Sequence, residues 1–178
     1  MERDVYVMGK SQNEERTIEL YNDLIFVRHA EAVIDETLPN NLLPLTQLGA
    51  IQAEEVSKLL ENQYDIVISS ISNRAVMTAK AILKGKEPIQ DKRLLERGWG
   101  NEQQDGKETD EEAEIRITNF LKEIIEKYKN NRIVIVTHGS LIKIAQNVIE
   151  NQKLERGRIN NCTTIKYTKN KEKIVIKN

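Results

Sequence analysis

The chain contains few residues of several kinds, and each shortage excludes a class of protein. The 178 residues include a single cysteine, Cys162, so no disulfide can form within the chain, which indicates a reducing compartment, most simply the cytoplasm. Aromatic residues amount to 4%, which argues against a stacking surface for single-stranded nucleic acid. No apolar run approaches the roughly 20 residues that a membrane-spanning helix needs.

An excess of charge of either sign is also missing. The 27 basic and 28 acidic residues give a formal net charge of -1, so no general attraction to nucleic acid or an anionic membrane is expected. Residues 1–20 carry charges where a signal peptide would have its apolar core. A phosphatase of the Cys-x5-Arg type is excluded, because the sixth residue after Cys162 is Thr168. The 39% of hydrophobic residues indicates a globular protein of unknown oligomeric state.

Five short segments are predicted to be β-strands. Residues 23–27, 65–69 and 132–137 are continuous apolar runs rich in Ile and Val, which are typical of strands buried on both faces of a sheet. Residues 162–168 and 173–177 are predicted to form two further strands joined by the polar turn KNKE.

Helical patterns lie between these strands, over 47–61, 74–84, 109–129 and a segment that follows Gly139. The expected buried face of the first contains Leu48, Ile51, Val56, Leu59 and Leu60, and that of the last contains Leu141, Ile144, Ala145 and Val148. Asn73 is a candidate cap for the second helix, and Thr109 and Glu112 have capping-box spacing at the start of the third.

Alternation of strands and helices predicts βαβ units and a mainly parallel sheet covered on both faces. The predicted fold class is therefore α/β, a three-layer α/β/α sandwich in which the terminal hairpin forms an antiparallel edge. Residues 23–178 form one predicted domain. Residues 1–22 are an N-terminal extension, in which 5–8 (VYVM) are a candidate strand and 14–21 a candidate short helix. We expect this extension to have little role in chemistry.

The only two histidines both follow predicted strands. His29 comes after LIFV through Arg28, and His138 comes after IVIV through Thr137. Active sites of open parallel sheets lie beyond the carboxyl ends of the strands. If the two strands are neighbours, the imidazoles face each other across a few Å. The alternative is that each histidine only hydrogen-bonds to nearby backbone.

Arginines and a glycine make the same edge of the sheet attractive to an anion. Arg28 precedes His29, and Arg74 lies just past the end of another strand, at the start of a helix. Guanidinium groups match the oxygens of a phosphate. Gly139 opens the helix after His138, where free backbone N–H groups can also point at phosphate. The alternative for Arg74 is a surface salt bridge.

A neutral histidine surrounded by positive charge can attack phosphorus and form a phosphohistidine. Expelling an alkoxide requires a proton donor. Glu96 is the preferred candidate over Glu31 and Glu102, which could simply orient arginines or face solvent. The alternative for Glu96 is an acidic loop residue exposed to solvent.

Five motifs follow one another along the chain. They are LIFVRHAEA at 24–32, PLTQLGAIQA at 44–53, SSISNRAVMTA at 69–79, LLERGWG at 94–100 and IVIVTHGS at 133–140. In this order and this structural context they resemble the histidine phosphatase superfamily, also called phosphoglycerate mutase-like. The resemblance covers nearly the whole chain after the N-terminal extension.

The resemblance implies a phosphoglycerate mutase-like fold and a set of roles. His29 would be the nucleophile, Arg28, Arg74 and His138 would hold the transferring phosphoryl group, and Glu96 would donate the proton. No metal or other cofactor is implied. The partner would be a small phosphorylated metabolite or a phosphorylated protein.

The chain departs from the superfamily pattern at four positions and one segment. Ala30 replaces Gly, Ala32 replaces Thr, Asp35 replaces Asn and Ile71 replaces Pro, while residues 36–43 lack the usual pattern. Ala30 places a methyl group beside the nucleophile but removes no reacting group. Contacts with the substrate around residues 35–43 are therefore open.

The resemblance leaves several activities open. Residues 100–109 leave little length for a lid, so we expect an exposed phosphohistidine and hydrolysis of a phosphomonoester. The alternatives are mutase-type phosphoryl transfer, a protein phosphohistidine phosphatase and a non-catalytic phosphate-binding module. A metal-dependent hydrolase that uses His29, Glu31 and His138 is a further alternative.

Overall fold

A single sheet organises the chain, whose computed structural model describes residues 18–98, 108–153, 157–170 and 173–176. Its strands are β1 (Asp23–Arg28), β2 (Ile66–Ser69), β3 (Ile89–Gln90), β4 (Arg132–Thr137), β5 (Thr164–Tyr167) and β6 (Lys173–Ile176). Their order across the sheet is β3-β2-β4-β1-β5-β6. The first four neighbours pair in parallel, whereas β5 is antiparallel to both β1 and β6. The predicted parallel sheet with an antiparallel edge is confirmed.

Four helices cover the two faces of the sheet. They are α1 (Gln47–Leu59), α2 (Asn73–Ile82), α3 (Asp110–Lys127) and α4 (Gly139–Glu150), with short 3-10 turns at Asn40–Leu42 and Lys92–Leu94. Within the described residues no helix is both long enough and apolar enough to cross a bilayer. The predicted three-layer α/β/α fold is confirmed.

Alternate residues of the central strands pack into two separate cores. Leu24 and Phe26 of β1 face α3 and α4, whereas Ile25 and Val27 face α1 and α2. Each strand side chain therefore belongs to one layer or the other, as expected where strands are buried on both faces. The helix side chains buried on the α3 and α4 side include Ile117, Phe120, Leu121, Leu141 and Ala145.

The predicted buried face of α1 is wrong in part. Leu48 is 51% exposed and Ile51 is 53% exposed. The buried face contains small residues instead, namely Gly49, Ala53 and Ser57, together with Val56. Gly49 faces the backbone of Glu31, so at this end of the helix residue size rather than hydrophobicity determines which face is buried.

Two predictions about helix ends have opposite outcomes. The capping box of Thr109 and Glu112 is present at the start of α3 and is confirmed. Asn73 is not the cap of α2, because it is the first helical residue, and its side chain donates to the carbonyl of Leu42. Ser72 occupies the cap position without a side-chain hydrogen bond.

The end of the N-terminal extension packs against the sheet. Ile18 and Leu20 are buried in the core on the α3 and α4 side. Residues 18–21 are not helical, so that part of the predicted helix over 14–21 is wrong. The candidate strand at 5–8 lies outside the described residues. The division of the chain at residue 22 stays a prediction.

Candidate active site

The adjacency of β1 and β4 brings the two histidines together. Arg28 and Thr137 are register partners at the carboxyl ends of these parallel strands. The backbone N–H of His29 donates to the carbonyl of Thr137 at 2.9 Å. The imidazole centroids of His29 and His138 lie 5.1 Å apart, with an angle of 66° between the rings.

Arg74 connects both imidazoles from the first turn of α2. Its Nε donates to Nε2 of His29 at 3.1 Å, and its Nη2 lies 3.3 Å from Nδ1 of His138. The remaining nitrogen, Nη1, donates to the carbonyl of Asn40 at 2.6 Å. Arg74 is only 7% exposed, so it lies in the site rather than in a surface salt bridge.

The hydrogen bonds of His29 define which ring nitrogen carries the lone pair. Its Nδ1 lies 2.8 Å from the carbonyl of Ala30, which can only accept, so Nδ1 carries the proton. Nε2 then carries the lone pair and accepts from Arg74. Burial, with the charges of Arg74 and Arg28, lowers the pKa of His29 to about 3. The imidazole is therefore neutral at physiological pH.

His138 is also held neutral. Its side chain is fully buried, and burial, together with His29 and Arg74, holds its pKa well below the usual range. Because Arg74 donates to Nδ1, the proton lies on Nε2, which is 3.0 Å from Oγ of Ser70 and 3.2 Å from Oγ of Ser72. The ring is fixed on both sides.

Arg28 reaches the site past the start of α4. Its Nη1 donates to the carbonyl of Ile159, while its buried Nε has no hydrogen-bond partner among the described residues. Burial lowers its pKa, and the guanidinium stays charged because an arginine pKa is so high. A Cβ on Gly139 would lie 3.5 Å from Cδ and Nε of Arg28, an ordinary van der Waals distance, so the Arg28 side chain runs directly beside Gly139.

Glu96 lies beside His138 on the segment that follows the 3-10 turn Lys92–Leu94. One carboxylate oxygen is 3.7 Å from Nδ1 of His138, and the other accepts a hydrogen bond from the hydroxyl of Ser140. Its side chain is 30% exposed, so water can reach it. The geometry favours a site residue over an acid that only faces solvent.

Glu31 has a different environment from Glu96. Its carboxylate accepts from Oγ1 of Thr46 at 2.8 Å, and it orients the start of α1 rather than an arginine. Among the described residues no group of three metal-binding side chains exists, so His29, Glu31 and His138 do not form one. Glu102, Gly100 and the predicted short lid up to residue 107 lie outside the described residues.

Three of the departures from the superfamily pattern have defined surroundings in the structure. Ala30 is buried, and its N–H donates to Oγ1 of Thr78 at 3.0 Å. Asp35 accepts from the N–H and hydroxyl of Thr37 in an exposed turn. Ile71 is 40% exposed.

Sequence reasoning did not assign several polar residues that support the site. Ser70 and Ser72 contact His138, Ser140 contacts Glu96, and Asn161 donates to the carbonyl of His29 at 3.0 Å. The serine-rich turn was visible in the motif at 69–79. Asn161 carried no such signal, because it reaches the site only through the antiparallel β5 region.

Comparison with known proteins identifies the family. The sequence model of the histidine phosphatase superfamily (branch 1) matches residues 24–114 and 101–178. The chain therefore belongs to the histidine phosphatase superfamily. No curated protein sequence matches it.

Solved structures share the fold at low sequence identity. A phosphoserine phosphatase mutant from Entamoeba histolytica in complex with phosphoserine is 21% identical, with a TM-score of 0.64 over 88% of this chain and 95% of that one. A mycobacterial glucosyl-3-phosphoglycerate phosphatase is 20% identical, with a TM-score of 0.65 over 81% and 88%. SixA of Agrobacterium tumefaciens, a candidate phosphohistidine phosphatase, is 14% identical, with a TM-score of 0.60 over 90% and 97%.

Proposed function

We propose that the protein is a phosphatase that hydrolyses a phosphomonoester through a phosphohistidine intermediate. The observation that carries this proposal is the pair of neutral imidazoles with Arg74 donating to both. The solved structures of similar fold include phosphatases of small phosphorylated molecules, and this supports a hydrolase.

The nucleophile is Nε2 of His29. Nε2 has an unprotonated lone pair because the proton lies on Nδ1, and the lowered pKa keeps it unprotonated at neutral pH. Without substrate this lone pair accepts from Arg74. Nε2 attacks phosphorus while the P–O bond to the leaving group breaks. The phosphoryl oxygens replace His29 as the partners of Arg74.

The transferring phosphoryl group meets donors on several sides. Arg74 and the unpartnered Nε of Arg28 supply guanidinium N–H groups, and Gly139 opens the first turn of α4 beside them. His138 adds a further donor toward the phosphoryl oxygens when its Nδ1 carries the proton and its Nε2 accepts from the hydroxyl of Ser70 or Ser72. Preorganised donors of this kind stabilise developing negative charge without rearrangement.

Glu96 is the proposed general acid. It protonates the leaving oxygen as the first bond breaks, and the resulting carboxylate then takes a proton from water, which attacks the phosphohistidine. The products are the alcohol, inorganic phosphate and free His29. The proposal needs no metal, because the arginines supply the positive charge.

The substrate class is proposed to be a small phosphorylated metabolite. Glu96 favours an ester that leaves as an alkoxide, whereas a phosphohistidine in a protein can leave without such an acid. Mutase-type transfer would return the phosphoryl group to a second hydroxyl instead of to water, so release of inorganic phosphate distinguishes the two activities.

The covalent step is tested by His29→Ala. Rapid mixing of the wild type with a phosphorylated substrate should label the protein with an acid-labile, base-stable phosphoryl group. His29→Ala should show no label and no turnover, because no other described nucleophile has this environment. Substrates should include alkyl phosphates, para-nitrophenyl phosphate and a phosphohistidine peptide.

Two controls make the result decisive. The unfolding curve of His29→Ala should remain cooperative, which separates loss of the nucleophile from loss of the fold. Wild-type turnover should continue in the presence of a chelator. Normal turnover by the folded variant would disprove the covalent mechanism.

A further inference from the structure

The segment that carries Glu96 is held through its backbone by a side chain of α3. Nη1 of Arg116 donates to the carbonyl of Arg93 at 2.5 Å and to the carbonyl of Leu95 at 3.0 Å. These two carbonyls lie on the N-terminal side of Glu96. The guanidinium of Arg116 therefore restrains the chain immediately before the proposed acid.

The same guanidinium forms a buried ion pair with Glu108. Nε and Nη2 of Arg116 donate to the two carboxylate oxygens of Glu108, each at 2.6 Å. The side chains are 10% and 2% exposed. Such a two-bond pair fixes the guanidinium plane, which a single contact would not do.

Glu108 in turn restrains the other side of the acid. The backbone N–H of Gly98 donates to a carboxylate oxygen of Glu108 at 2.9 Å. Gly98 has a φ of 94°, a left-handed conformation that suits glycine. The pair of Arg116 and Glu108 therefore contacts the backbone on both sides of Glu96.

A third restraint comes from the strand that precedes His138. Oγ1 of Thr137 donates to the carbonyl of Leu94 at 2.6 Å, and Thr137 is fully buried. Thr137 links the Glu96 segment directly to β4. Arg116, Glu108 and Thr137, which we call the segment clamp, thus connect α3 and β4 to residues 93–98.

We propose that the segment clamp positions the carboxyl group of Glu96 for proton donation, through its contacts with the backbone of residues 93–98. This inference rests on the proposed role of Glu96 as general acid. The described hydrogen bonds of the Arg116 and Thr137 side chains go to Glu108 and to backbone carbonyls of residues 93–95. The charge of Arg116 also lowers the pKa of His138, and Arg116→Lys keeps that charge. The nucleophile and the phosphoryl-binding arginine should therefore remain intact when the clamp is loosened.

The dependence of the phosphorylation rate on the leaving group distinguishes positioning of Glu96 from a merely structural role of the clamp. An alkoxide needs a proton as it departs, whereas a nitrophenolate leaves readily without one. A displaced acid should slow alkyl phosphates selectively. A general loss of structure should slow both substrates alike.

The experiment compares four single variants and one double variant in single-turnover phosphorylation. Glu96→Gln sets the reference and should slow an alkyl phosphate by about 10²-fold, with a far smaller loss on para-nitrophenyl phosphate. Arg116→Lys keeps the charge but cannot make the same four hydrogen bonds, and should slow the alkyl phosphate by about tenfold or more with little effect on the aryl substrate. Arg116→Lys combined with Glu96→Gln should show no further selective loss, because both changes affect the same proton transfer.

Thr137→Val and Arg132→Lys complete the set. Thr137→Val removes one hydroxyl with little change of volume, and should show the same selectivity as Arg116→Lys, so it decides the question if Arg116→Lys does not fold. Arg132→Lys changes an arginine outside residues 93–98, at the opposite end of β4 from His138, where it pairs with Asp65, and should leave the ratio of the two rates at the wild-type value.

The outcomes separate the two proposals. Equal losses on both substrates in Glu96→Gln would overturn the acid role and the clamp with it. A selective loss in Glu96→Gln but not in Arg116→Lys or Thr137→Val would overturn the clamp alone. Selective loss in the clamp variants that disappears in the Glu96→Gln background supports the inference.

Discussion

Arg74 shows why the residue type matters as much as its charge. Its three guanidinium nitrogens hydrogen-bond to three different partners, namely two imidazoles and the carbonyl of Asn40. A guanidinium offers these donors in one rigid plane, whereas a lysine ammonium is a point charge on a flexible stem. Burial lowers the pKa of Arg74, but an arginine remains charged here.

We therefore expect Arg74→Lys to lose most of its activity although the charge is kept. The loss in transition-state stabilisation should be about 2–4 kcal/mol, comparable with removing one oxyanion-hole donor. The measurement is kcat/KM with a phosphomonoester that the wild type hydrolyses.

Arg132→Lys is the matched control. Arg132 stands at the first residue of β4, at the opposite end of that strand from His138, where it pairs with Asp65 at 2.8 Å. This variant should retain wild-type kcat/KM. Retention of most activity by Arg74→Lys as well would show that Arg74 contributes charge alone.

At the scale of elements, the start of α1 supports the chain just after His29, the proposed nucleophile. Thr46 caps α1 by accepting from the N–H of Gly49, and its own N–H donates to the carbonyl of Glu31 at 3.0 Å. Oε1 of Gln52 accepts from the N–H of Glu31 at 2.9 Å. The motif at 44–53 therefore restrains the backbone at Glu31, two residues after His29.

Gly49 permits the close approach of these two segments. A Cβ at this position would lie 2.0 Å from the carbonyl oxygen of Glu31, which is backbone and cannot move as a side chain would. Gly49→Ala should destabilise the protein by about 1–3 kcal/mol, the range for overpacking, although alanine is the better helix former. The measurement is the free energy of unfolding in urea.

Ala50→Gly is the matched control, because position 50 follows Gly49 in α1 and is exposed. It measures the difference in helix propensity between alanine and glycine without a close contact. It should cost about 1 kcal/mol through helix propensity alone. Alanine should thus be the more stable residue at position 50 and glycine at position 49. A stabilising effect of Gly49→Ala would refute the close contact.

Particular elements show what the sequence can predict. Continuous apolar strands and the 3.6-residue pattern of α3 have strong local signals, and both were confirmed. Strand β3 has only two residues and depends on pairing with β2, so no local sequence pattern predicts it. The sequence also did not predict which face of α1 is exposed, because Leu48 and Ile51 are apolar but the buried face contains the smaller Gly49 and Ala53.

Some residues of the candidate site could likewise be predicted from the sequence, and others could not. His29 and His138 follow strands directly, and Arg74 lies in the first turn of the helix after β2, so topology brings them together once β1, β4 and β2 are neighbours. Ser140 and Asn161 are recognisable only from contacts made in the folded chain. Arg116 was likewise unassigned, because its partners are backbone carbonyls that any sequence supplies.

At the scale of the whole molecule, the site places two neutral imidazoles inside the fold. His29 and His138 are 6% and 0% exposed, and both have lowered pKa values, mainly through burial. In the unfolded chain both regain a pKa of about 6.5. Between pH 6.5 and the lower values of the folded state, the unfolded chain binds protons that the native state does not.

The free energy of unfolding should therefore rise with pH in this window and decline as the pH falls below about 6.5. Each fully titrating histidine contributes a slope that approaches about 1.4 kcal/mol per pH unit. The window between pH 5 and 6.5 is the most informative, because it lies above the range in which most carboxyl groups titrate. Urea unfolding in a phosphate-free buffer measures the slope without the stabilising effect of a bound anion.

His138→Gln should keep a cooperative transition and lose about half of the slope, since His29 alone would then titrate. Identical slopes for the wild type and His138→Gln would show that His138 binds its proton equally well in the folded and unfolded chains, and would contradict its burial as a neutral ring.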